Sequence, residues 1–143
     1  MTRADKKILH EIQKNARMGI ESIQTVSEKI YDEGLALDLN KHILKYHDFK
    51  NRAEIMLQEA KQPSYSDNMI KKGMLRTAIH MNTVMDKSTS HVAELMIQEN
   101  NKGILGLYRA INHNETAGKY AVEMAKELMG FEEKAINRLK EYL

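Results

Sequence analysis

Residues 3–31 read RADKKILHEIQKNARMGIESIQTVSEKIY, and the spacing inside that stretch decides the fold class. Leu9, Ile12, Ala16, Gly19, Ile23, Val26 and Ile30 recur at alternating steps of three and four. That is the seam of one face of a helix that packs against another helix. Thr2 with Asp5 three residues on matches a capping box. Asp32-Glu33-Gly34 supplies a glycine where the helix is expected to stop.

Working outward, the same rhythm returns. A second helix is predicted from about Leu35 to Lys61, with Leu35, Leu39, His42, Tyr46, Phe49, Ala53, Met56 and Ala60 as its seam. A turn this short makes the first two helices an antiparallel hairpin over 3–61. Gln62-Pro63-Ser64-Tyr65-Ser66 breaks the pattern, because proline cannot continue a helix. Residues 67–87 carry a short helical pattern, and Ser88-Thr89-Ser90 offers N-cap residues for a new start. One kinked helix over 67–111 is the competing reading of that region. A third long helix runs to about Ile111. Asn112-His113-Asn114 is the next turn, with Asn114 as N-cap and Glu115 in the first turn of the fourth helix. The fourth seam is Ala117, Ala121, Met124, Leu128, Phe131, Ala135 and Leu139.

The expectation is therefore an all-α chain, a four-helix bundle over 1–143 built as one domain. Two antiparallel hairpins, 3–61 and 89–143, are joined by a long crossover, 62–88, that contains a short helix. Helices of roughly 22–30 residues would be ~33–45 Å long. Composition agrees: among 143 residues there are one proline and seven glycines, too few turn formers for an all-β fold. The absence of cysteine excludes disulfides, thiolate nucleophiles and Cys-type metal sites, and fits a reducing cytoplasm. A formal net charge of +2 is too balanced to predict nucleic-acid binding. No apolar run approaches the ~20 residues of a membrane span, and the first residues do not read as a signal peptide.

The two hairpins also resemble each other. Phe49-x-x-x-Ala53-x-x-x-Leu57 matches Phe131-x-x-x-Ala135-x-x-x-Leu139, and Gly19-Ile20 with Ile23 matches Gly103-Ile104 with Leu107. Such a repeat would pack about a pseudo-twofold axis.

Through this topology, the repeat and the run Ile30-Tyr31-Asp32-Glu33-Gly34, the chain resembles the ferritin-like superfamily, which includes rubrerythrin and bacterioferritin. Lys72-Gly73 and Gly103…Tyr108 make it similar to a bacterial branch of small ferritin-like bundles that lacks the usual di-metal ligands. Members that use iron or manganese place carboxylates on two helices and Glu-x-x-His on the other two. This sequence contains no Glu-x-x-His. Aligned through Gly34, the resemblance puts the ligand slots of the first two helices at Ala16, Phe49 and Arg52, and the repeat maps these onto Asn100, Phe131 and Lys134. Aromatic rings would then fill the metal cradle and the two cations would repel a metal. No cofactor and no metal are expected.

Two residue groups remain. His42 and Tyr46, one turn apart, and Asn100 on the third seam form a candidate buried polar cluster. It either binds or reacts with something, or its members satisfy one another. Met69, Met74, Met81 and Met85 in the crossover are a candidate partner surface, since methionine adapts to varied apolar partners. The alternative is that they close one end of the bundle. A basic amphipathic helix lying on a membrane is a further reading of this segment. No phosphate loop, nucleophile elbow or carboxylate dyad is present. The sequence thus leans away from an enzyme. It points to a bundle that acts by homo-oligomerising, as a dimer or larger, or by binding a protein partner. The alternatives are an iron or manganese oxidoreductase or storage protein, and a carrier with a ligand between the helices.

Overall fold

The computed structural model describes residues 1–63 and 88–143. Among the described residues the chain is all-helical, with four helices and no strand: α1 (Arg3–Ser27), α2 (Glu33–Glu59), α3 (Thr89–Asn112) and α4 (Lys119–Leu139). A single 3-10 turn, Lys140–Tyr142, extends α4. None of these helices is long and apolar enough to cross a membrane. The methionines at 69, 74, 81 and 85, and the short crossover helix, lie outside the described residues.

Local chemistry sets the helix ends. Thr2 and Asp5 form the reciprocal capping box: the Thr2 hydroxyl accepts from Asp5 N–H at 3.1 Å and Asp5 accepts from Thr2 N–H at 2.9 Å. Asp5 also accepts from the Gly118 N–H, so one carboxylate holds the N-termini of both α1 and α4. The Ser88 hydroxyl starts α3 by accepting from His91 N–H.

Three boundaries differ from the sequence expectation. Helix α1 stops at Ser27, which leaves Ile30 outside the helix. Asp32 accepts from Leu35 N–H at 2.8 Å and so begins α2, which places Gly34 in a first turn instead of at a stop. Asn114 donates to the Ala110 carbonyl at 2.7 Å, closing α3, while α4 begins at Lys119 after Gly118. In the last two cases an Asp or Asn side chain reaches the helix end that lies nearer its own backbone.

Helix directions follow from the side-chain pairs. Gln13 meets Glu54, and Gly19 lies against Tyr46, so α1 and α2 are antiparallel. Glu11 lies by Gly106 and Asn15 by Gly103, so α1 and α3 are antiparallel too. Therefore α2 and α3 run in the same direction. Arg52 pairs with Glu127, Tyr46 with Glu132 and Arg138 with Asp38, which makes α4 antiparallel to α2. The core contains Ile8, Leu9, Ile12, Leu39, Phe49, Leu57, Met96, Leu107 and Leu128, all nearly inaccessible to solvent.

Candidate functional site

One layer across the bundle is polar. It takes one side chain from each helix: Asn15 from α1, Tyr46 from α2, Asn100 from α3 and Glu132 from α4. All four are buried, Glu132 to 2% exposure. Asn15 Nδ2 donates to Glu132 Oε1 at 2.8 Å. The Tyr46 hydroxyl lies 2.8 Å from Asn100 Oδ1 and 3.0 Å from Glu132 Oε2.

The proton positions follow from counting donors. A phenol has one proton, and it cannot serve two acceptors equally. If Glu132 is protonated, it donates to the Tyr46 oxygen, and Tyr46 donates to Asn100. Burial favours that state. It pushes the Glu132 carboxyl up to about 8, against the opposing hydrogen bonds from Asn15 and Tyr46. Burial also lifts Tyr46 well above its ordinary value, helped by the charge and hydrogen bond of Glu132 and the charge of Glu99. No cation lies within ion-pair distance of Glu132 among the described residues.

Two glycines make room for this layer. A Cβ at Gly19 would sit 2.5 Å from the Tyr46 ring, and one at Gly103 would sit 2.5 Å from Glu132 Oε2 and 2.6 Å from Asn15 Nδ2. The Tyr46 ring is also held edge-on by Phe131, with centroids 5.2 Å apart. Gly19→Ala is therefore expected to lower stability by about 1–3 kcal/mol through overpacking, although alanine is the better helix former. Thermal unfolding measures this, and a raised Tm would show that the ring has room to move.

The sequence-predicted cluster is only partly joined by hydrogen bonds. Tyr46 and Asn100 are bonded. His42 is not bonded to either among the described residues. Its ring packs edge-on against Phe131 at 5.6 Å, and burial holds it below its ordinary pKa, with Asp38 opposing. The aligned slots also sit differently from the expectation of a cradle filled with cations. Phe49 is 1% exposed and Phe131 is half-buried beside it at 6.2 Å. Arg52, however, turns outward to Glu127 at 2.6 Å and stacks over Phe49, and Lys134 is exposed. The ionisable group in the centre is a carboxyl, not a cation.

Glu132 and Asn15 were missed in the sequence, although one signal was present. A strict heptad from Ala121 through Ala125 and Leu128 lands on Glu132, whereas the expected seam took Met124 and Phe131 instead. Adjacent on the helix and pointing apart, Glu132 is buried and Glu133 is exposed.

A groove of about 260 Å3 opens beside this layer between α1 and α3. Ser22 lines it, is fully buried, and its hydroxyl has no hydrogen-bond partner among the described residues. At the far end of α4, Asp38 accepts from Arg138 Nε at 2.8 Å and from the Tyr142 hydroxyl. Burial would raise the Asp38 carboxyl, but the two partners together hold it below its ordinary value. Among the described residues no three His, Asp or Glu gather around a point that could hold a metal ion.

No protein-family model, curated protein or solved structure matches this chain.

Proposed function

We propose that the chain is a non-catalytic helical bundle of ferritin-like arrangement that acts by assembling with a second copy of itself. Support for the arrangement comes from direction. Helices α2 and α3 are both antiparallel to α1, so the chain between them must join parallel helices, which calls for a long crossover. The lack of cysteine fits a cytoplasmic setting.

The observation that carries the assembly reading is the outer face of α2. Leu37, Leu44 and Ile55 are 55%, 70% and 53% exposed, and steps of seven and eleven residues align them on one line of the helix. Charge along this line is divided in net: Glu33, Lys41 and Lys45 leave its N-terminal half positive, and Asp48, Arg52 and Glu59 leave its C-terminal half negative. A two-fold axis crossing the helix would set Leu44 against Ile55 of the second copy and bring unlike charges together, as an isologous contact requires.

Three apolar side chains support only a modest affinity once association costs are met, with Kd in the micromolar range on the order of 10 μM. Sedimentation equilibrium tests the reading. Leu44→Asp is expected to weaken self-association roughly tenfold or more without changing the helical circular dichroism. A monomer at millimolar concentration, or an unaffected L44D dimer, would overturn it. Stoichiometric iron or manganese in elemental analysis of the purified protein would overturn its non-catalytic part.

A further inference from the structure

We propose that the groove between α1 and α3 binds a small aminocarboxylate, an amino acid or a close homologue, with its ammonium group against Glu132 and its carboxylate toward Lys14 and Arg109. The inner end of the groove is built for a cation. Asn15 and Tyr46 both reach Glu132 with hydrogen-bonding groups, so the carboxylate form has donors ready and lacks only a counter-ion. Gly103 lets the carboxyl lie close against the α3 backbone where the groove runs, because a Cβ there would press on both of its oxygens. The Ser22 hydroxyl, without a hydrogen-bond partner among the described residues, lines the same groove two turns along α1 from Asn15.

The outer end suits an anion. Lys102 is held by Glu99 at 3.1 Å, and those charges cancel. Lys14 and Arg109 also line the groove, and neither is in an ion pair among the described residues. The Glu11 carboxylate offsets one of them, which leaves the mouth positive. A molecule with one charge of each sign satisfies both ends, whereas a simple amine or a simple acid satisfies one. The groove, at about 260 Å3, admits a molecule of that size.

Binding has a proton signature. Below about pH 8 burial keeps the proton on Glu132 in the free protein, so an incoming ammonium ion forms its pair only as that proton leaves to solvent. The ionisable groups that line the groove with Glu132 are Glu11 and Lys14 from α1, Tyr46 from α2, and Glu99, Lys102 and Arg109 from α3. Tyr46 stays protonated throughout this range, so the released proton comes from Glu132. Affinity should therefore rise from about pH 6 to pH 8.

Isothermal titration calorimetry of the full chain tests this, with glycine, β-alanine and 4-aminobutyrate as probes and with ethylamine and acetate as half-molecules. At least one aminocarboxylate is expected to bind roughly tenfold tighter than either half-molecule. Its heat should vary with the buffer in the sense of proton release. Glu132→Gln should weaken it roughly tenfold, and Arg109→Ala several-fold toward the ethylamine value. Arg109 is exposed, so that variant keeps the test open should E132Q misfold. The proposal fails if no probe binds at millimolar concentration. It also fails if acetate alone binds as tightly with proton uptake, or if neither variant changes the affinity.

Discussion

Glu132→Gln is expected to remove most of the loss of stability that the wild-type chain shows between about pH 5 and pH 8. In the unfolded chain this carboxyl titrates near 4.5, and in the fold burial moves it up to about 8. Between those values the native state keeps a proton that the unfolded state has lost. Stability is therefore full below the unfolded value and declines as pH rises through the folded one. At about 1.4 kcal/mol per unit, the whole interval is worth roughly 4–5 kcal/mol as an upper bound, and the curve flattens above about pH 8.

The substituted glutamine side chain mimics the protonated acid. Its carbonyl can accept from Asn15 and its amide can donate to Tyr46, so the layer keeps its hydrogen bonds without a titrating group. Two other groups work in the opposite sense. His42 is held below its ordinary value by burial, so its contribution rises with pH near neutrality. Asp38, held low by Tyr142 and Arg138 against burial, loses its contribution only as pH falls through its folded value, below the Glu132 window. Urea midpoints of wild type and E132Q at about pH 5.5, 7 and 9 separate these effects. Parallel curves for the two proteins would show that Glu132 does not titrate as argued.

Phe49→Ala is expected to cost about 3–5 kcal/mol, because the ring is almost wholly buried and its removal leaves a cavity among α-helical backbones that cannot close. Phe131→Ala should cost less, about 1–2 kcal/mol, since that ring is only half-buried and part of its contact is with the edges of His42 and Tyr46. Both rings begin a Phe-x-x-x-Ala-x-x-x-Leu pattern, yet their surroundings differ. Equal losses in chemical denaturation would mean that Phe131 seals the bundle as fully as Phe49 does.

That difference marks how far the sequence could be read. The four long helices found among the described residues, and the seams of α1 as far as Val26 and of α2, were legible, because apolar residues at steps of three and four have few other uses. Tyr46 and Asn100 stood out as polar residues on apolar seams. Glu132 did not, because a glutamate on a helix is usually solvated, and its neighbour Phe131 offered a more apolar choice at the next position. A shift of one residue rotates a helix by about 100°, enough to exchange a buried acid for a half-exposed ring. Ser22 carried no signal at all. Its significance lies in the lack of a partner among the described residues, which only the packed arrangement reveals. The start of α4 was misplaced for a related reason: Asn114 can serve either the helix before it or the one after, and sequence does not say which.

The Asp5 carboxylate bridging Thr2 and Gly118 has a wider consequence. Two helix starts placed side by side each expose positive dipole ends that repel, and a shared anion converts that repulsion into a latch. Burial works against its low pKa less than the backbone N–H of Thr2 works for it. A lesion at the very front of the polypeptide would thus be felt at the opening of its final segment, and Asp5→Asn should quicken amide hydrogen exchange at residues 118–122 as well as at 3–6. The beginning and the last quarter of this molecule are fastened by the same clasp.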